Sequence, residues 1–240
     1  TGKSTLLRIL AGNDKSDSGG KITFLKHIRI AFLEQEFSHD PEKVVFTQVM
    51  DSSRNFTEGL DDDDLFAYEL RVKKFLTSFG IDEGALMKNL SGGEVKRVAL
   101  TVMLASEADF YIMDEPTNHL DIDAIEFLEN YLGHSRSTLL MVTHDRYFLD
   151  HVCNTVMELD HGAVYTYRGN YENYLEKRQE RIDNYNAETA KVNNILRREL
   201  EWIRSSPCAR TGKSRYRINA FYDLKDRAEQ TYTSKKVSLE

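Results

Sequence analysis

Residues 109–121 read DFYIMDEPTNHLD, and this stretch decides the fold. Phe110–Met113 is a short apolar run of the kind buried in a parallel sheet, and it ends in two acids, Asp114 and Glu115. A carboxylate at a strand end can hold a magnesium shell, and a second one beside it can orient or deprotonate an attacking water. Downstream, Ile122–Leu132 has helical spacing and Thr138–Val142 is another short apolar run. Strand, helix and strand make a βαβ unit. Thr143-His144-Asp145 closes the second strand, so His144 is delivered beside the acids by a neighbouring parallel strand.

Two motifs lie upstream. Thr1-Gly2-Lys3-Ser4-Thr5 runs into an apolar helical stretch over Lys3–Ala11 and matches the second half of a phosphate-binding loop. There the glycine lets backbone N–H groups curl around phosphates, the lysine reaches the terminal phosphates, and the following hydroxyl binds magnesium. The strand and first glycine of the full pattern would precede Thr1, so the body is expected to be incomplete at its amino terminus. Leu90-Ser91-Gly92-Gly93-Glu94 opens a helix running to about Ser106. Ser91 and Glu94 form a capping box, and the two glycines expose N–H groups at the positive helix end. Ile22–Leu25 and Ile28–Leu33 are expected to be strands, Asp160-His161-Gly162 the turn of a hairpin, and Asp61–Asp64 a solvated acidic surface.

In this order, GKST, Gln35, LSGGE, DFYIMDEPTNHLD and MVTHD resemble the nucleotide-binding domain of an ABC ATPase over about residues 1–168. The resemblance implies an α/β fold, a P-loop NTPase of ABC type, with ATP and Mg2+ held between two such domains. It implies that Gly2, Lys3, Ser4 and Thr5 hold phosphates, and that Ser4, Gln35 and Asp114 hold the metal. Gln35 also senses the γ-phosphate, Glu115 is the general base and His144 contacts the γ-phosphate. Asp121 lies where opposed domains communicate, and Ser91, Gly92 and Gly93 complete the partner's site. Glu94 stands where many ABC proteins have Gln, a change that leaves the Ser-Gly-Gly backbone intact.

The net charge of −7 is unevenly spread. Residues 1–166 hold 16 Lys/Arg and 28 Asp/Glu, while residues 167–240 hold 16 and 11. An acidic body with a basic tail points to a second domain over 169–240. Tyr171–Arg204 has apolar residues in a 4-3 register and predicts one helix of about 50 Å. Ser205-Ser206-Pro207 breaks it, and a second helical stretch starts near Ser214, giving a long antiparallel α-helical hairpin. Its tip, residues 197–227, carries nine Lys/Arg against four Asp/Glu, interleaved with aromatics. Arg210, Lys213, Arg215 and Arg217 are the candidate RNA contacts. Thr211-Gly212-Lys213-Ser214 repeats the opening tetrapeptide, but no strand precedes it and no acids follow, so it is no second phosphate loop.

The stretch CARTGKSRYRI resembles the interdomain linker of ABC-F proteins, with the Uup-like branch the nearer match. That resemblance implies an ATPase acting on the ribosome in translation, its hairpin reaching toward tRNA. It also implies a second ATP-binding domain beyond Glu240, or a second copy in its place. The chain alone is then expected to hydrolyse ATP poorly. The alternative is the ATPase subunit of a membrane transporter, to which a basic hairpin is foreign. Hydrophobic residues at 40% suffice for a packed core. Two cysteines make no disulfide framework. Without an apolar membrane run or a signal pattern, a cytoplasmic protein with no membrane partner is expected.

Overall fold

The computed structural model describes residues 2–16, 19–160, 162–204, 219 and 222. Helix α1 (Lys3–Ala11) ends at Gly12, whose left-handed φ of 83° lets its N–H reach the Ile9 carbonyl at 3.1 Å. The Asn13 N–H returns to the Arg8 carbonyl at 2.9 Å, closing the helix end. Strand β1 (Ile30–Leu33) follows, with Ala31 and Leu33 buried.

Four α-helices lie between β1 and the next strand, α2 (Val45–Ser52), α3 (Arg54–Thr57), α4 (Asp62–Ser78) and α5 (Gly92–Ala105), with a short 3-10 turn at Met87–Asn89. The acidic run is exposed, as expected, but Asp61 also caps α4 by accepting the Asp64 N–H at 2.8 Å. Three more acids in the first turn oppose the positive helix end. On α4 the buried residues Tyr68, Val72, Phe75 and Leu76 recur at helical spacing, and α4 packs on α5 through them.

Strand β2 (Phe110–Asp114) is buried from Tyr111 onward, as a strand flanked on both sides must be. It pairs in parallel with β1 on one side and with β3 (Thr138–Val142) on the other, giving the order β1-β2-β3. Helix α6 (Ile122–His134) makes the crossover and buries Ala124, Leu128 and Leu132 at four-residue intervals. Phe127 of α6 meets Phe79 edge-on at 4.9 Å between ring centroids, and Tyr131 meets Phe75 at 5.4 Å. Helix α7 (Arg146–Val152) is capped by Asp145. An antiparallel hairpin follows, β4 (Thr155–Asp160) with β5 (Ala163–Arg168), and then α8 (Tyr171–Arg204), one helix of 34 residues.

Two sequence expectations are corrected. Residues 22–25 form no strand, and Leu25 is 82% exposed. An alternating apolar pattern becomes a strand only when a neighbour takes up its backbone groups, and none of the described strands pairs there. β1 also starts at Ile30 rather than Ile28, because its ladder with β2 begins at the Ile30–Phe110 pair. Of the second arm of the expected hairpin, Asn219 and Tyr222 are the described residues, both in helical conformation, and the rest lies outside them. The chain divides into two compact units, Thr1–Tyr171 and Glu172–Glu240.

Candidate active site

Parallel pairing puts three loop starts at one edge of the sheet. Leu33 is in register with Met113, and Asp114 with Val142. The residues just past those pairs, Glu34-Gln35, Glu115 and Thr143-His144, therefore leave the sheet at the same carboxyl-terminal edge, where open α/β sheets take their ligands. Asp114 and Glu115 are both buried. Glu115 has a left-handed φ of 48°, uncommon for a residue with a side chain. Its N–H donates to the Val142 carbonyl at 2.8 Å, and its carboxylate accepts the His144 N–H at 3.2 Å. The His144 Nε2 lies 3.4 Å from the other carboxylate oxygen, with the imidazole itself 82% exposed. A buried carboxylate thus stands against an exposed imidazole.

Gly2 opens α1 with a φ of 77° and open space where a Cβ would be. It offers no side-chain cap, so the first-turn N–H groups of Lys3, Ser4 and Thr5 face outward unsatisfied by the helix itself. Such a turn is an anion cradle. α1 packs against β1 and β2. The Asn13 amide donates to the Glu34 carboxylate at 3.0 Å, tying the far end of α1 to the loop that carries Gln35, an exposed residue. The hydroxyl of Ser4, the amide of Gln35 and the carboxylate of Asp114 are all hard oxygen donors. That set suits Mg2+, which takes few protein ligands. Among the described residues, no cluster of three or more His, Cys, Asp or Glu could hold a metal by itself.

The start of α5 is built as expected. The Ser91 N–H donates to Glu94 at 2.7 Å and the Glu94 N–H to the Ser91 hydroxyl at 3.3 Å. The Ser91 hydroxyl donates to the Glu94 carboxylate at 2.7 Å, and this bond together with that from the Ser91 N–H holds the Glu94 carboxyl below the usual range. Gly92 has open space at its Cβ position, but at Gly93 a Cβ would lie 2.5 Å from the His119 carbonyl oxygen. The Ser-Gly-Gly turn therefore rests on the loop after Glu115, not on the Glu115–His144 contact. Asp121 caps α6 through the Ala124 N–H at 3.0 Å and pairs with Arg97 at 3.4 Å.

Sequence reasoning missed Lys96 and Arg97. Arg97 donates to the Phe79 carbonyl at 3.0 Å as well as facing Asp121. Lys96 is buried, and burial pulls its ammonium pKa down while Asp114 and Glu115 hold it up. The signal was present: positions 96, 99, 100 and 103 share one helix face, and three of them are apolar. Arg210, Lys213, Arg215 and Arg217 lie outside the described residues.

Fold and site together define a P-loop nucleotide-binding domain of the ABC type. Two models of families described as ABC transporter match the chain, one over residues 1–118 and the other over residues 157–239. The chain belongs to the ABC family of ATP-binding proteins, in its ABC-F group. It is 36% identical to the ABC transporter ATP-binding protein YfmR of Bacillus subtilis, over 100% of this chain and 42% of that one. It is 35% identical to the energy-dependent translational throttle protein EttA of Mycobacterium tuberculosis, over 96% of this chain and 46% of that one. It thus spans a little under half the length of these relatives. The solved structure of RNase-L Inhibitor, at 21% identity, shares the fold with a TM-score of 0.53, covering 97% of this chain and 42% of its own. Among the described residues no helix is long and apolar enough to cross a membrane.

Proposed function

We propose that the protein containing this chain binds and hydrolyses ATP and acts on the ribosome in translation. The buried Glu115, held at the carboxyl edge of β2 beside His144, carries the ATPase reading. In it, Lys3 and the N–H groups of the first turn of α1 cradle the phosphates, and His144 donates to the γ-phosphate. Glu115 takes the proton of the attacking water; its left-handed turn aims the carboxylate across the strand edge, and the His144 N–H fixes one oxygen. Ser4, Gln35 and Asp114 would hold Mg2+, which neutralises charge on the transferring phosphoryl group. Gln35, on the loop after β1, senses the γ-phosphate.

Ser91, Gly92, Gly93 and Asp121 face an opposed ATP-binding domain, from the same protein or a second copy, and complete its site. We assign residues 1–168 to the ATP-binding domain and 169–240 to the linker. Arg210, Lys213, Arg215 and Arg217 of the linker contact ribosomal RNA or tRNA, and the protein is cytoplasmic. The likeness to EttA, whose name describes a translational throttle, supports this reading. The second reading, an ATPase subunit of a transporter, draws on the name of YfmR. Sedimentation of the full-length protein with ATP separates them. The first reading expects it in the ribosome pellet and the second in the membrane fraction; recovery with membranes alone would overturn the ribosomal assignment.

A further inference from the structure

Lys96 is the one charged residue on the buried stripe of α5 that also carries Ala99, Leu100 and Met103. Only 6% of it is exposed, and lysines are almost never so buried without a partner. The ammonium lies 3.4 Å from the Glu34 carbonyl oxygen, and its positive charge is favoured by the negative charges of Asp114 and Glu115. Glu34 is one residue past the Leu33–Met113 register pair, so it stands beside Asp114 at the sheet edge, and Gln35 follows it directly. One cation on α5 therefore addresses both strand ends that carry the candidate site.

We propose that Lys96 is a positioning residue for ATP hydrolysis, holding the Glu34–Gln35 strand end and the Asp114–Glu115 carboxylates in fixed relation. The inference rests on the ATPase reading above. The ammonium's positive charge interacts with two adjacent buried carboxylates, Asp114 and Glu115, and offsets their mutual repulsion, which would otherwise push them apart. Its bond to the Glu34 carbonyl sets the plane of the peptide leading into Gln35. Lys96 also sits five residues into a continuous helix whose first turn is Ser91-Gly92-Gly93, about 7.5 Å along the axis. A shift of that turn against an opposed domain is carried by the helix to the carboxylates through this one side chain. Core packing alone does not call for it, because methionine fills the same stripe and removes a buried charge, a change that is commonly neutral or stabilising for the fold.

The test is steady-state ATPase kinetics, nucleotide affinity and thermal midpoint of the full-length protein carrying Lys96→Met, Lys96→Arg or Lys96→Gln. Lys96→Met is expected to lower kcat about tenfold or more, with KM and nucleotide affinity changed less than about threefold. Its midpoint is expected to stay at or above the wild-type value, and Lys96→Arg to recover much of the loss. Should Lys96→Met fold poorly, Lys96→Gln removes the charge with a polar end and is expected to show the same kcat-only defect. A kcat within about twofold of wild type overturns the proposal. So does a loss that tracks a lowered midpoint and is not rescued by arginine. A Glu115→Gln control run alongside keeps the two readings apart. If the wild-type protein hydrolyses no ATP, the ATPase reading itself has failed; if wild type is active and Glu115→Gln is inactive while Lys96→Met is normal, only the role of Lys96 has.

Discussion

Neighbouring glycines in the Ser91-Gly92-Gly93 turn are expected to respond oppositely to the same substitution. At Gly92 an added methyl meets nothing within 4 Å. Gly92→Ala should therefore gain helix propensity, about 0.5–1 kcal/mol at most. At Gly93 the methyl would stand 2.5 Å from the His119 carbonyl oxygen, a backbone atom that cannot rotate away. Reaching an ordinary contact near 3.4 Å requires a shift of about 0.9 Å in the loop between Glu115 and Asp121, or in the helix start. His119 already holds a left-handed φ of 65°, so that loop has little slack. Overpacking of this size costs about 1–3 kcal/mol, against the same small propensity gain. The propensity gain is common to both, so the two variants should differ by about 1–3 kcal/mol, or about 2–12 °C in melting temperature at this chain length. Thermal unfolding followed by circular dichroism without nucleotide measures the gap. A Gly93→Ala protein that melts with or above Gly92→Ala would refute the close approach.

Three further outcomes are expected. Burial pushes the Cys153 thiol up from 9.0 to about 11, so near pH 8 its alkylation in the folded chain should be about a hundredfold slower than in urea. Equal rates by peptide mass spectrometry would contradict that burial. The sign of the same shift, a raised folded pKa, places the associated stability below pH 9.0 and removes it as the pH climbs through about 11. Replacing Arg210, Lys213, Arg215 and Arg217 together by Ala should weaken ribosome affinity while ATP binding persists. Each lost phosphate contact should lower the slope of log K against log salt by about 0.7–0.9. An unchanged affinity and slope would reduce the tip to a solvated surface.

The elements legible in the sequence were those with unambiguous ends. β2 and β3 are apolar runs closed by acids or by Thr-His-Asp, and α8 begins and ends where its register does. The helices of residues 45–78 were not legible, because the cap of α4 is hidden in an acidic run that reads equally well as plain surface. Residues 22–25 were misread because strand propensity says nothing about whether a partner strand is there. At the site, the ordered motifs located Glu115, His144 and the Ser-Gly-Gly turn. They were silent on Lys96, which becomes visible only once the register of β1 and β2 places Glu34 beside Asp114. The close approach at Gly93 is likewise a property of packing between α5 and a distant loop, which no local pattern encodes.

Single-turnover hydrolysis and retention of radiolabelled ATP by the full-length protein carrying Glu115→Gln test the central claim most directly. Removing the carboxylate leaves the first turn of α1, Asp114 and Gln35 in place, so ATP should bind with wild-type affinity and accumulate unhydrolysed. Loss of a general base predicts a fall in turnover of about a hundredfold or more. Turnover at the wild-type rate would contradict the assignment of Glu115 as the base.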